Sequence, residues 1–281
     1  MAASLHKTKR RIASVNSTKK ITNAMELVAT VKLKRFKNIM MKNNLYQQEM
    51  VNIIHHLFEH VSSEDENPYL SESKGTKSLY IVINSNLGLC ASFNNDIYNF
   101  VNKNVPTLGS ELLIVGAKGD SYFKKSDYSL NEEYVSLNEK VVYEDVIKLG
   151  NFIHREFIKG TYKAVYLVYT KYVNSIKFVP DQIKLFPLKE SNSKADLGYE
   201  PIYDPSIKTL IEELVPIYVT STLYQKIIES QVSEQASRRT AMENATDNAD
   251  EIINKLTLEY NKARQSAITQ EIAEIVSGQQ K

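Results

Sequence analysis

The sequence predicts an α/β domain inserted between two long helices whose ends pair as an antiparallel coiled coil. Three observations carry that expectation. Glycine is scarce: nine residues in 281, about 3% against an average near 7%. Glycine and proline are both absent from 1–67 and from 217–277, and every glycine except Gly278 lies between Gly75 and Gly198. Between the two barren tracts the hydrophobic period changes from the helical one to short apolar runs divided by turns.

The first part, 1–67, reads as one helix from about Leu5 to Ser62. Its apolar residues Ile12, Val15, Ile21, Met25, Val28, Val31, Ile39, Ile53, Leu57 and Val61 recur mostly at three, four or their sum, so one stripe runs the length of a helix. Some 58 residues at about 1.5 Å each would span about 87 Å. The acidic run after Ser62 and then Pro68 end it.

The middle part, 75–200, carries apolar runs at Ser78–Ile83, Glu111–Val115 and Ala164–Tyr169, with a weaker one at Ile183–Phe186. Amphipathic patterns at Asn95–Asn104, Ser121–Lys125 and Val142–Ile158 alternate with them. Strands alternating with helices predict βαβ units and a partly parallel, Rossmann-like sheet. Asn174–Pro187 reads as two short strand-like segments forming an antiparallel edge.

The last part, 206–277, follows Pro201 and Pro205, and Gly278 closes it, the usual punctuation of a helix. Pro216 is expected to kink its first turns. Beyond it Ala245, Ala249, Ile252, Leu256, Tyr260, Ala263 and Ala267 recur at four and three, the coiled-coil period, with alanines that admit a partner helix closely. Helices this long have narrow stripes that neither buries alone. The economical solution pairs the chain's two ends.

The formal net charge of +2 conceals an asymmetry. Residues 1–42 hold eleven Lys or Arg and one acid, Glu26; the rest of the chain holds 24 basic and 32 acidic residues. A basic arm on an acidic body suits an acidic partner: nucleic acid, a membrane surface or an acidic protein surface. Phosphate binding by a coiled coil is one reading, but one face of the helix is committed to packing. Aromatic residues are not interleaved with the charges, which argues against stacking on single strands. No apolar stretch approaches the length of a membrane span, and the basic N-terminus lacks the apolar run of a secretory signal. A single cysteine, Cys90, excludes a disulfide framework.

The sequence carries few signatures of catalytic chemistry. Gly109 and Gly116 have the wrong spacing for a phosphate loop, Ala117 separates Gly116 from Lys118, and no G-x-G-x-x-G follows a strand. His56, Glu59 and His60 fit H-x-x-E-H; on a helix the two histidines share a face and suit Zn²⁺, with Glu59 as base and Glu132 or Glu133 as a further ligand. Three fixed positions make a weak pattern, and histidines near a helix end also suit the carbonyl dipole. Cys90 just past the first strand reads as a small packed hydrophobe rather than a nucleophile.

Longer motifs lie at the two ends. Lys19–Leu33 (KKITNAMELVATVKL), Ser233–Asn248 (SEQASRRTAMENATDN) and Leu258–Gly278 resemble the signature blocks of the gamma subunit of F-type ATP synthase, and the order helix, α/β domain, helix covers the whole chain. The resemblance implies a central rotor shaft without catalytic residue or cofactor. It implies alpha and beta head subunits, an epsilon subunit and a c-subunit ring as partners, at the cytoplasmic face of the cell membrane. Residue by residue, Met25 matches a position near the catch regions of beta. Arg238, Arg264, Gln265 and Thr269 match positions that contact the catalytic subunits. Lys32, Lys34, Arg35 and Lys37 would face acidic loops of beta, which gives the basic arm a protein partner. The stretch after the first strand departs from the family pattern: Asn86 stands where an acid is common and Ala91 replaces a glycine. A specialised rotary motor, coupled to something other than an ion-conducting ring, is the alternative that this departure suggests.

Overall fold

The structure, a computed structural model, describes residues 2–60, 67–131, 142–188 and 203–278. Its elements are α1 (Ala2–Glu59), β1 (Lys77–Ile83), α2 (Phe93–Asn104), β2 (Ser110–Val115), α3 (Ala117–Phe123), β3 (Ser129–Leu130), α4 (Tyr143–Ile158), β4 (Tyr162–Tyr172), β5 (Phe178–Phe186) and α5 (Ile207–Gly278). The chain divides into two compact units: Lys32–Ser237, and the residues up to Val31 together with those from Arg238 on.

The unit of Lys32–Ser237 is built on a five-stranded sheet ordered β3-β2-β1-β4-β5. β1 runs parallel to both β2 and β4, so Ile81 lies opposite Leu113 on one side and Leu167 on the other. Six of its seven residues are buried, which explains why the run is apolar throughout instead of alternating. β5 is antiparallel to β4. Leu79, Ile81, Leu113 and Leu167 face a core with Ile153 of α4, Ile54 of α1 and Val219 of α5. Val82, Leu112, Ile114 and Val168 face a second core with Ile97 and Val101 of α2 and Phe123 of α3. Helices thus cover both faces of the sheet, as a mostly parallel sheet requires. Within this unit α1 and α5 run antiparallel. Asn43 Nδ2 donates to Gln225 Oε1 (2.8 Å) and Gln47 Nε2 to Thr222 Oγ1 (2.7 Å); Leu33 packs with Val232 and Ala236.

The other unit is the antiparallel pair of the two chain ends. Lys19 pairs with Asp250, and the hydroxyls of Thr22 and Thr246 lie 2.8 Å apart. Ala29, Met242, Ala249 and Leu256 are buried.

The expected seam of α1 is corrected. Ile21, Val28, Val31 and Ile53 point outward, 58%, 55%, 70% and 45% exposed. Beside half-buried Met25 and Ile39, the inward-turned row runs through Leu5, Thr8, Ile12, Val15, Lys19, Thr22, Glu26 and Ala29 in one unit, and Leu33, Phe36, Met40, Asn43, Gln47, Met50, Ile54 and Leu57 in the other. They step by three and four without interruption, a stricter seven-residue repeat than the apolar residues alone display. Polar side chains hold seam positions because they hydrogen-bond or pair across it, as Lys19, Thr22, Asn43 and Gln47 do. On α5 Ile252 is exposed, and Ile253 turns inward in its place.

Smaller differences concern boundaries. Asn174–Pro187 holds one nine-residue strand, β5, rather than two segments. α3 starts at Ala117, earlier than Ser121, because it begins directly after the turn at Gly116. The two-residue β3 is too short for a periodic signal. α5 runs through Pro216, which forfeits one backbone donor. Ser62 as the end of the first helix, Glu132, Glu133 and the tail of the middle part to 200 lie outside the described residues.

Candidate partner-binding faces

The residues singled out in the sequence do not converge on one pocket. Met25, Arg238, Arg264, Gln265 and Thr269 belong to the unit of the chain ends; Lys32, Lys34, Arg35 and Lys37 belong to the unit of the sheet. Arg264, Gln265 and Thr269 are exposed along one stretch of α5, where the Thr269 hydroxyl donates to the Gln265 carbonyl (2.9 Å). Met25 is half-buried. Arg238 is only 7% exposed, so of the nine it offers the least surface to another chain.

In the unit of the sheet Lys34 and Arg35 are exposed and Lys32 is half-buried. Lys37 Nζ sits 5.3 Å from the centre of the Tyr172 ring, within cation–π range. Burial pushes the Tyr172 phenol up, but the Ser175 hydroxyl and the Lys37 ammonium outweigh it and leave the group below its ordinary value.

The large apolar residues that face outward are the informative ones. Ile21, Leu27, Val28 and Val31 form an exposed apolar face on α1, bordered by Lys20. Ile268, Ile272 and Ile275 repeat it on α5, also exposed. Large apolar side chains gathered on one face of a helix mark an interaction surface. Their helical spacing was visible in the sequence, but nothing there distinguished an outward stripe from a seam.

A second feature was not foreseen. Within the block Ser233–Asn248 and just before it, α5 carries side chains that hold the backbone of the sheet. The Thr170 N–H donates to Ser230 Oγ (2.9 Å), and Ser233 Oγ donates to the Thr170 carbonyl (3.3 Å). The Tyr172 N–H donates to Glu229 Oε1 (3.2 Å), and Ser237 Oγ donates to the Cys90 carbonyl (2.7 Å). Glu229, Ser230, Ser233 and Ser237 share one helix face and fasten α5 to the C-terminal end of β4 and to the loop after β1. In that loop Asn86 Oδ1 accepts the Ala117 N–H at the start of α3 (3.1 Å). The amide oxygen accepts there as a carboxylate oxygen would.

The motif at the end of α1 assembles only in part. His56 Nδ1 is 3.7 Å from Glu59 Oε2, and His60 Nδ1–H donates to the His56 carbonyl (2.9 Å). The two rings meet edge-on at 4.6 Å. Among the described residues no three His, Cys, Asp or Glu side chains are grouped to hold a metal ion. Cys90 is buried, with Asn94 Nδ2 3.3 Å from its sulfur, the setting of a packed thiol.

A family model described as ATP synthase matches residues 4–280. The chain is 36% identical to the ATP synthase gamma chain of Psychrobacter cryohalolentis, over 98% of both chains. It is 35% identical to that of Mycoplasma mycoides subsp. mycoides, over 96% of both. It is 36% identical to the sodium-ion-specific ATP synthase gamma chain of Acetobacterium woodii, over 99% of this chain and 98% of that one. Its fold is similar to a chain of the Euglena gracilis mitochondrial ATP synthase OSCP/F1/c-ring structure, with a TM-score of 0.69 at 14% identity, covering 99% of this chain and 94% of that one. A chain of the Tetrahymena thermophila central stalk and c-ring gives 0.59 at 23% identity, over 80% of this chain and 99% of that one.

Proposed function

The chain belongs to the family of ATP synthase gamma chains, and from that premise we propose that it is the central rotor shaft of an F-type ATP synthase. Its paired ends turn inside a head of alternating alpha and beta subunits, and the sheet domain meets the epsilon subunit and the ring of c subunits. Ion flow through the ring drives the rotation, which carries each catalytic site through its states; ATP hydrolysis runs it in reverse. The coupling ion is H⁺ or Na⁺, and the choice belongs to the ring. The complex stands peripherally at the cytoplasmic face of the cell membrane; no helix among the described residues is long and apolar enough to cross a membrane.

The observation that carries this reading is the exposed apolar face of Ile21, Val28 and Val31 on α1, repeated by Ile268, Ile272 and Ile275 on α5. A shaft must slide past three equivalent sites, and apolar contact is non-directional, so it has no fixed hydrogen bonds to break at each step. Exposed Arg264 and Gln265, with Lys34 and Arg35, supply exchangeable polar contacts of the weak, solvent-screened kind. Met25 and Arg238, with Lys32, Lys37 and Thr269, complete the proposed contact set.

The pair Val28→Asp and Ile272→Asp tests it. Neither residue lies on the buried seam, so the chain should keep its thermal midpoint to within about 0.5 kcal/mol of stability. Its association with alpha and beta subunits, measured by sedimentation of the reconstituted complex, should weaken at least about tenfold. Unchanged assembly with both charges in place would reject the face as the bearing surface.

A further inference from the structure

The hairpin of β4 and β5 reaches past the strand beside it. β1 pairs with β4 as far as Val168, whereas β4 and β5 stay paired out to Tyr172 and Phe178. Neighbours along a strand point to opposite sides, so register sorts the side chains of this end between two faces. Tyr172 lies opposite Phe178, and both pack, with Phe36 and Met40, against the cluster of Leu33, Val232 and Ala236. Lys171 lies opposite Val179. The Val173 N–H donates to the Lys177 carbonyl (3.1 Å), which sets Val173 against Lys177 on that second face. All four residues of the second face are exposed.

The turn is fixed by its own bonds. Asn174 Oδ1 accepts the Ile176 N–H (2.9 Å) and the Lys177 N–H (2.7 Å). The Asn174 N–H donates to the Lys177 carbonyl (3.0 Å), and the hydroxyls of Tyr172 and Ser175 lie 3.2 Å apart. Asn and Ser are ordinary turn residues; Ile is not. Strand propensity accounts for Val173 and Val179, but not for Ile176, which stands in the turn 89% exposed. With Val173 (51%) and Val179 (42%) it makes an apolar tip, and Lys171 and Lys177 flank it. The folded chain gains nothing from Ile176 there, since a side chain left in water buries no apolar area.

We propose that this tip is a docking finger for the catalytic head. Ile176, with Val173 and Val179, enters an apolar recess in an acidic surface of an alpha or beta subunit, and Lys171 and Lys177 meet the carboxylates around it. The proposal rests on the rotor reading above. Charge selects an acidic partner. Residues 171–180 hold two lysines and no acid; residues 27–48 of α1 hold Lys32, Lys34, Arg35, Lys37 and Lys42 and no acid. Two carboxylates reach this end of the hairpin, and both are engaged. Glu229 accepts the Tyr172 N–H (3.2 Å) and Lys226 Nζ (2.9 Å). Asp181 accepts the Tyr169 hydroxyl (3.4 Å) and the Gln182 N–H (2.8 Å). An acidic surface is thus drawn to the tip and a basic one repelled. Position selects the head. Leu33, Val232 and Ala236, on which the hairpin packs, stand where α1 and α5 leave the unit of Lys32–Ser237 for the chain ends, and those ends are what the head encloses. A lipid surface fits less well: segments that lie on membranes present aromatic and long aliphatic side chains, and the aromatics here, Tyr172 and Phe178, are turned inward.

Photo-crosslinking in the complete reconstituted complex decides the matter. Ile176 is replaced by the photoreactive residue p-benzoylphenylalanine, and the products of illumination are identified by mass spectrometry. We expect links to alpha or beta subunits, at segments rich in Asp and Glu. Links confined to the epsilon subunit, a c subunit or lipid, or no link at all, would overturn the proposal. The same label at Ile272, on the exposed face of α5, keeps two failures apart. Links to the head from position 272 with none from 176 reject the finger alone; none from either position rejects the rotor reading with it. Ile176→Asp sets a like charge against the acidic surface and should speed dissociation of the chain from the head at least about fivefold. Ile176→Leu should keep the parent rate. An unchanged rate for Ile176→Asp sinks the idea.

Discussion

Ala91 holds a backbone angle that favours glycine. Its φ is +46°, where an L-residue costs about 1–2 kcal/mol relative to the right-handed regions. Its side chain is exposed, so removing it sacrifices little packing. Glycine relieves the clash but gives the unfolded chain more freedom, worth about 0.5–1 kcal/mol. Ala91→Gly should therefore raise stability by roughly 0.5 kcal/mol, read as a higher thermal midpoint; a lower midpoint would show that the loop is not strained there. Tyr98 makes a second prediction at this scale. Burial raises its phenol to about 12, with Cys90 and Tyr122 adding to the shift. The protonated form is neutral, so between pH 10 and 12 the unfolded chain releases a proton that the folded chain keeps. Stability is thus full below pH 10 and falls as pH rises toward 12. Burial raises Tyr162 and Tyr169 as well, which steepens the same alkaline fall. Tyr98→Phe should begin less stable at pH 8, having lost the hydrogen bond to the Lys118 carbonyl (2.8 Å). It should then lose less between pH 9 and 11, as urea midpoints at each pH will show.

The crossing of α4 over α5 turns on Gly150. A Cβ there would lie 2.3 Å from Thr220 Oγ1 and 3.4 Å from Thr220 Cα. Alanine gains about 1 kcal/mol of helix propensity over glycine, whereas forced overpacking costs about 1–3 kcal/mol. The clash prevails, and Gly150→Ala should destabilise the chain. Adding Thr220→Ala should recover more than about 0.5 kcal/mol in a double-mutant cycle; simple additivity would place the crossing elsewhere. The sequence announces α4 through its apolar period, yet gives no sign that its glycine is the crossing point, because that depends on which helix lies opposite. The same limit explains α1. Element existence was legible from the missing glycines and prolines, and β1, β2 and β4 from their unbroken apolar runs. The seam was not, because Lys19, Thr22, Asn43 and Gln47 occupy it while Ile21, Val28 and Val31 face outward. Period alone cannot rank two stripes when the more apolar one faces outward. The site residues share the difficulty: resemblance supplies positions along a helix, and only the fold reveals that Arg238 is buried while Arg264 is exposed.

Across the whole molecule the charge asymmetry constrains how the shaft enters its complex. Eleven basic residues and one acid in 1–42 stand against 24 basic and 32 acidic residues in the remainder. Exposed charges steer encounter more than they hold the final complex, since surface pairs contribute little once formed. At an ionic strength of about 0.15 M the screening length is near 8 Å, so steering acts only when salt is low. The apolar face of α1 and α5 does not depend on salt in this way, and it should govern dissociation. The association rate of the chain with alpha and beta subunits should therefore fall at least about tenfold between roughly 50 and 500 mM salt, while the dissociation rate changes little. Replacing Lys34 and Arg35 by glutamine should flatten the salt dependence of association and leave the thermal midpoint of the chain unmoved, because both side chains are exposed. Stopped-flow mixing of labelled chains resolves the two rates. An association rate indifferent to salt would mean that the basic arm does not guide the shaft, and that shape and apolar contact alone bring it into the head.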